Sequence, residues 1–235
     1  MKIIVLTTST THHRYFANRI NQKYPLEGIV LEDLHLKPNF KTDHSFEFER
    51  DIYEKKHFKK YNNSFENLSK TKNFKNVNDI KCLEFISKIN PHIIIVFGTG
   101  IIRKPLINLC PRGIINLHGG DPQYFRGLDT HLWAIYHKLF NQLVTTLHRV
   151  NTRIDDGEII KIAPIEINKS SEIKKLRAEN TKVCVEIVLE ALQYYYNFGK
   201  FSSKSQTKKG RYYSFMPAEL KDICVRNFNK YIDSL

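Results

Sequence analysis

The sequence predicts an α/β fold built on a largely parallel sheet, and three observations carry that expectation. Apolar runs of strand length recur along the chain at Ile3–Leu6, Gly28–Leu31, Ile93–Phe97 and Gly113–Leu117. Between them lie segments whose apolar residues fall near the helical repeat, the alternation expected of strand–helix–strand units. The run Ile93-Ile-Ile-Val-Phe97 is apolar on both faces, as a central strand covered by helices on both sides must be.

The elements follow in order. After the strand Ile3–Leu6, the polar stretch Thr7–Thr11 leads into a helix from about His12 to Lys23, since hydroxyl residues satisfy the free N–H groups of a first turn. Gly28–Leu31 is the second strand. Residues 33–75 are polar, rich in Lys, Asn and Phe, with weak helical periodicity around Phe46–Lys60; they read as an irregular insertion or flap. A helix over Asn78–Ile89 is stopped by Pro91, and the central strand then ends in Gly98-Thr99-Gly100. A tight turn after a strand's carboxyl end is where open α/β sheets bind ligands. A short helix at Arg103–Leu109, the strand Gly113–Leu117, a helix at Asp129–Leu139 and strands at Leu143–Val150 and Glu158–Ile165 come next. Ser170–Tyr196 is the longest helix, with Leu176, Val183, Ile187, Leu192 and Tyr196 close to 3.6 spacing. Residues 1–198 form the expected core domain, and 199–235 a short extension with a hairpin around Gly210–Phe215 and a closing helix.

Composition narrows the class. A 41% apolar and 12% aromatic content belongs to a globular protein, and no apolar stretch approaches the roughly 18 residues of a membrane span. The opening Met1–Leu6 is too short for a signal segment, so a soluble cytoplasmic protein is expected. Cys82, Cys110, Cys184 and Cys224 have no metal-type spacing and read as reduced structural thiols, with no metal site. The net charge of +13 is spread out, with 14 basic against 9 acidic residues in 1–75, 9 against 6 in 76–157 and 14 against 9 in 158–235. That describes a solvated surface or a site for an anionic ligand better than the basic stripe of a nucleic-acid binder.

Chemistry concentrates in two motifs. In Gly113-Ile-Ile-Asn116-Leu-His118-Gly119-Gly120-Asp121-Pro122, Asn116 and His118 are two apart on a strand and share a face. About forty residues later, Ile154-Asp155-Asp156-Gly157 brings a carboxylate beside a second turn. An Asn amide can donate to an oxygen that gains negative charge. A neutral His can take a proton near pH 7, and a carboxylate beside it fixes its tautomer. No Ser or Cys in these motifs is placed as a nucleophile, so the attacking group is a substrate's, most simply an amine.

Asn116-Leu-His118 with Gly120, Pro122 and Arg126-Gly127, followed by Ile154-Asp155-x-Gly157-x-Ile-Ile160, resembles the folate-dependent formyltransferase family. The resemblance covers about residues 90–165 and, more loosely, the first strand and helix. It implies a Rossmann-like fold and 10-formyltetrahydrofolate as formyl donor. By position, Asn116 and His118 polarise the formyl oxygen, and Asp155 pairs with His118. Asp156 is expected to point away. The backbone-lined folate pocket maps to Phe97, Gly98, Thr99, Gly100, Ile101 and Ile102, and to Thr152, Arg153 and Ile154. The loop Gly119-Gly120-Asp121 departs from the commonest pattern of the family. With Tyr124-Phe125-Arg126-Gly127-Leu128-Asp129-Thr130 and Gly210–Pro217 it is similar to the sugar-nucleotide branch.

The acceptor implied is a nucleotide-linked aminodeoxysugar, such as a dTDP-4-amino-4,6-dideoxyglucose used for surface polysaccharide. Its binding residues are expected among Gly119, Gly120, Asp121, Tyr124, Arg126, Gly127 and Thr130. Ser9, Thr10 and Arg14 sit where a helix N-terminus could hold a phosphate, although plain capping explains the hydroxyls equally well. Arg126 is either a phosphate ligand or a brace for its loop. His131 and His148 read as helix-face and strand residues, and Trp133 as core. Tyr212, Tyr213 and Phe215 fit hairpin packing, a homodimer contact or a base stack. Methionyl-tRNA and glycinamide ribonucleotide formyl transfer are the alternatives, disfavoured by the short tail and by the loop after His118. A deformylase would carry an N-terminal regulatory domain, and a non-catalytic folate or nucleotide module would bind without turnover.

Overall fold

In the computed structural model, which describes residues 1–33, 37–61 and 64–235, the strand β1 (Ile3–Thr7) is buried along its whole length. The helix α1 (Thr11–Lys23) returns the chain to β2 (Leu26–Glu32), which pairs parallel with β1. Next come α2 (Ser45–His57), β3 (Thr71–Phe74), α3 (Ile80–Ile89), β4 (Ile93–Val96), α4 (Lys104–Ile107) and β5 (Ile114–Gly119). Then follow β6 (Phe125–Gly127), α5 (Thr130–Tyr136), β7 (Val144–Arg149), β8 (Ile159–Pro164), α6 (Leu176–Phe198), β9 (Arg211–Tyr213) and α7 (Ala218–Asp233).

Seven strands form one sheet in the order β3-β2-β1-β4-β5-β7-β8. The first five run parallel, and β7 and β8 add on antiparallel. Strand alternation divides the core. Ile3, Val5, Ile93, Ile95, Ile115 and Leu117 face α1 and α6. Ile4, Leu6, Ile94, Val96 and Ile114 face the layer of α3 and α4, where Cys82, Ile86 and Leu106 meet them. All four cysteines are buried and free, and burial pushes the Cys82 and Cys224 thiols up to about 12, which keeps them protonated and inert.

Two expectations need correction. Residues 33–75 are not irregular throughout: α2 is a capped helix, and Thr71–Phe74 is an edge strand parallel to β2. The His44 side chain accepts from the Phe46 N–H, while Glu47 reaches back to the His44 N–H at 3.1 Å, a reciprocal cap. The edge strand escapes a hydrophobic pattern because Thr-Lys-Asn-Phe needs only one partner and stays largely wet. The second correction concerns the tail. Arg211–Tyr213 makes no hairpin; it pairs parallel with β6, far away in sequence. The Gly210 N–H and Arg211 N–H donate to Pro122 O and Tyr124 O, so the ribbon is seeded by a close backbone approach that local turn signals cannot announce.

The helix α7 packs on α5 in a third apolar cluster with Phe125, Ile135, Met216, Cys224 and the fully buried Phe228. It also grips α2. The buried Lys221 ammonium donates to Thr42 O at 2.6 Å and Glu47 Oε2 at 2.9 Å, and His44 pairs with Asp222 at 3.0 Å. Among the described residues no helix is long and apolar enough to cross a membrane.

Candidate active site

Strand order reverses between β1 and β4, so their carboxyl ends splay apart at the switch point of the sheet. A cavity of about 540 Å³ opens there, lined by Val96–Ile102, Asn116–Gly119, Gly127–Leu132 and Val150–Asp155 together with residues of α1, α2 and α6. The cluster inferred from sequence sits in its wall.

Asn116 and His118 project from β5, and their antiparallel partners on β7 are His148 and Thr146. His118 Nδ1 lies 3.5 Å from Asp155 Oδ2, and His118 Nε2 lies 2.8 Å from Phe125 O. The imidazole thus has an acceptor for a proton on each nitrogen. Burial lowers its pKa, offset in part by the Asp155 charge, so the resting ring is neutral at pH 7. A second proton, once acquired, finds Asp155 waiting at Nδ1. Burial alone would raise the Asp155 pKa. Its pairing with the His118 and His148 rings and the hydrogen bond from the Gly127 N–H outweigh that and hold the carboxyl well below the usual range, so it stays ionised.

The neighbouring carboxylates separate as expected, but through a turn rather than strand alternation. Asp155 has φ 48°, in the left-handed region, and Gln206 Nε2 donates to its carbonyl at 2.9 Å. That kink aims Asp155 at the histidines, while Asp156 faces Arg126 and Arg153, each at 2.6 Å. Gly127, with φ 93°, donates its N–H to Asp155 Oδ2 at 2.9 Å; a side chain there would collide with the Tyr212 ring.

The folate-pocket residues inferred from sequence come together. Phe97, Gly98, Thr99, Gly100, Ile101 and Ile102 form one wall, with Thr152, Arg153 and Ile154 opposite. Gly98 has φ 80°, and a Cβ there would meet the His13 ring at 2.5 Å, so only glycine lets α1 close on this wall. Ile101 and Ile154 are exposed on the two opposing loops, an apolar rim that a flat ring system would cover.

The acceptor residues divide. Gly119, Gly127 and Thr130 line the cavity; Ser9, Thr10, Arg14, Gly120, Asp121, Tyr124 and Arg126 do not. Thr10 gives α1 no side-chain cap, because its hydroxyl bonds to His12 and His13 instead. Arg126 is a brace: nearly fully buried, it donates to Pro122 O, Asp156 and Gln206. Asp121 accepts from the Gln123 N–H within its own loop, and Tyr124 stacks under the Lys208 ammonium. Trp133 packs on Tyr213 and donates to Ser214 O.

Sequence reasoning missed His148. Its Nε2 lies 3.1 Å from Asn116 Nδ2 and 3.5 Å from Asp155 Oδ1, and its Nδ1 donates to Arg149 O at 2.8 Å. With that tautomer the ring accepts from the Asn116 amide and orients it, leaving the second amide N–H for a ligand. The seven-residue spacing to Asp155 was the available signal, and a lone strand histidine hid it. Also unforeseen are Glu32, which accepts from the Gly100 N–H at 2.6 Å and the Val77 N–H at 3.0 Å, and the lining residues His12, His13, Phe46, Arg50 and Arg177. Among the described residues no group of three or more His, Cys, Asp or Glu is placed to hold a metal ion.

With this geometry in hand, the sequence pattern of the family described as "Formyl transferase" matches residues 49–192. A methionyl-tRNA formyltransferase of Agathobacter rectalis is 34% identical over 110 residues, 44% of this chain and 35% of that protein. The chain spans well under half the length of the curated relatives it matches, from 16% to 38%. A 4-N formyltransferase from Francisella tularensis superposes with a TM-score of 0.64 at 20% identity, over 97% of this chain and 87% of that one. The formyltransferase PseJ from Anoxybacillus kamchatkensis, solved with UDP-4,6-dideoxy-4-formamido-L-AltNAc and tetrahydrofolate, gives 0.54 at 18% identity, over 91% and 86% of the two chains. At these identities the likeness establishes a shared fold.

Proposed function

The chain belongs to the formyl transferase family, and on that premise we propose that it moves a formyl group from 10-formyltetrahydrofolate to the amine of a nucleotide-linked aminodeoxysugar. The observation that carries this reading is the meeting of Asn116, His118 and Asp155 in the wall of one cavity that also carries the Gly98–Ile102 slot. The slot suits the donor. Glycine-rich backbone at Gly98–Gly100 faces Thr152–Ile154 across a gap rimmed by exposed Ile101 and Ile154, which fits a flat bicyclic ring. Bound there, the folate supplies a formyl carbon open to attack and an oxygen that gathers negative charge.

This chain's own residues meet those needs. The Asn116 N–H not used by His148 is free to donate to such an oxygen, in a setting where donors act strongly because water is scarce. An attacking amine must lose a proton. The Asp155–His118 pair can hold it at Nδ1, since the charged ring then donates to Asp155 and to Phe125 O together, and can release it to the folate nitrogen as the bond from that nitrogen to the formyl carbon breaks. His148 fixes the Asn116 amide and lies beside Asp155, so the four side chains meet at one point of the wall.

The sugar acceptor is supported by the UDP-linked formamido sugar bound in the PseJ structure and by the 4-N formyltransferase of Francisella tularensis. A second acceptor, methionyl-tRNA, is supported by the relatives named for it. A dTDP-4-amino-4,6-dideoxyglucose is the finer choice, and with it goes a cytoplasmic homodimer. Purified protein, 10-formyltetrahydrofolate and a panel of dTDP- and UDP-aminosugars should yield an N-formyl sugar by mass spectrometry. Asn116→Ala should lower turnover about 100- to 1000-fold, as for loss of one oxyanion donor. Formylation of methionyl-tRNA with none of the sugars would reassign the acceptor, and no product with either would sink the reading.

A further inference from the structure

The end of the cavity lined by α2 and α6 holds a cation that stability does not require. α2 presents Phe46 and, one turn later, Arg50 to this end, beside Ile173 and Leu176. Arg50 donates from Nη1 to Glu47 at 3.2 Å and from Nε to Asp51 at 3.2 Å. Both carboxylates have another cation. Glu47 takes the buried Lys221 at 2.9 Å, and Asp51 takes Arg177 at 2.8 Å. The remaining carboxylate, the fully buried Glu54, is held by two Arg177 N–H groups, each at 2.7 Å. Removing Arg50 would therefore leave no acid unpaired. Its own fork is nevertheless fixed at two of three nitrogens, and Nη2 has no partner among the described residues. Arg177 lines the same end, and its Nη1 is likewise without one.

Two guanidiniums pinned by their outer nitrogens, each with a terminal NH₂ to spare on a side chain that lines a cavity, suit an anion of several oxygens. We propose that Arg50, backed by Arg177, is an anion subsite that takes the phosphate or diphosphate ester of the acceptor. It lines the same cavity as Asn116 and His118, so an acceptor held there by its charged end lies in the cavity that carries the reacting groups. His12 and His13, which pack on Phe97, line the same cavity, and burial keeps both rings uncharged before a ligand arrives. The subsite rests on the acceptor reading above, and it narrows that reading to amines that carry a phosphate ester.

The test separates the two ideas. Calorimetric titration of wild-type protein with inorganic pyrophosphate and with dTDP reads anion binding without any turnover. Arg50→Gln should weaken both by about 10- to 100-fold, with Arg50→Lys in between because it keeps the charge and loses the fork. In the formyl-transfer assay, Arg50→Gln should raise KM for the nucleotide-linked aminosugar by a similar factor. The folate KM and the thermal midpoint should stay close to wild type. Unchanged dTDP binding and acceptor KM in Arg50→Gln would overturn the subsite whatever the acceptor. Arg50-dependent binding of pyrophosphate without formylation of any sugar would leave the subsite standing and refute the sugar assignment.

Discussion

Asp155 and Asp156 are adjacent carboxylates with opposite duties, and one backbone torsion separates them. Asp155 in its left-handed turn faces His118 and His148, whereas Asp156 neutralises the buried Arg126. Asp155→Asn should keep the fold and lose turnover by at least about 100-fold, because the imidazolium loses its counter-charge. Asp156→Asn should do the reverse: turnover per folded molecule stays near wild type while unfolding stability falls by about 1.5–3 kcal/mol, the worth of a hydrogen bond to a charged group. Steady-state rates beside chemical denaturation distinguish the two, and equal kinetic damage from both would refute the division. Asn116 and His118 could be read from sequence because each is a polar residue inserted into an apolar run, and Asp155 because it belongs to the Ile154-Asp155-x-Gly157 motif. His148 could not, since its neighbours Thr145, Thr146 and Leu147 make an ordinary buried strand. Its role appears only when β7 is laid antiparallel against β5.

Elements were readable where they bury a face. β1, β4 and β5 announce themselves as unbroken apolar runs, and α6 as a long helical repeat. β3 and the β6–β9 ribbon were not, because their stability comes from backbone pairing and long-range approach rather than from side-chain pattern. α2 hid for a related reason: its outward face carries exposed Phe48 and Ile52, which blurs the periodicity. Ties between elements are harder still to foresee. Glu32, the last residue of β2, crosses to the loop after β4 and holds the Gly100 and Val77 N–H groups. Glu32→Gln would turn one of two acceptor oxygens into a donor facing an N–H. The loop should loosen, with the folate KM rising about tenfold or more, as expected for one charge-assisted bond. The acceptor KM should move little. An unchanged folate KM would show that the loop holds itself.

At the scale of the whole molecule, three buried histidines and the half-buried His131 make the fold sensitive to acid. His12, His13, His118 and His131 all have pKa values lowered by burial, His131 to about 4. Unfolded histidines titrate near 6.5, so below that pH the unfolded chain binds more protons than the folded one. Their contribution is complete above pH 6.5 and drains away as pH falls toward 4, by about 3 kcal/mol for His131 alone. The thermal midpoint should therefore drop steeply between pH 6.5 and 4, and His131→Gln should flatten part of that slope. A midpoint level across the window would contradict the burial of these rings. The ribbon of β6 and β9 carries a consequence of another kind. Phe125 O and Gly127 N–H, which hold His118 and Asp155, belong to β6, and β6 gains its partner strand only from residues 211–213. During synthesis the catalytic side chains leave the ribosome well before that strand does. The site is therefore incomplete on any chain that lacks residues 211–213, and activity waits for a strand made long after the side chains it serves.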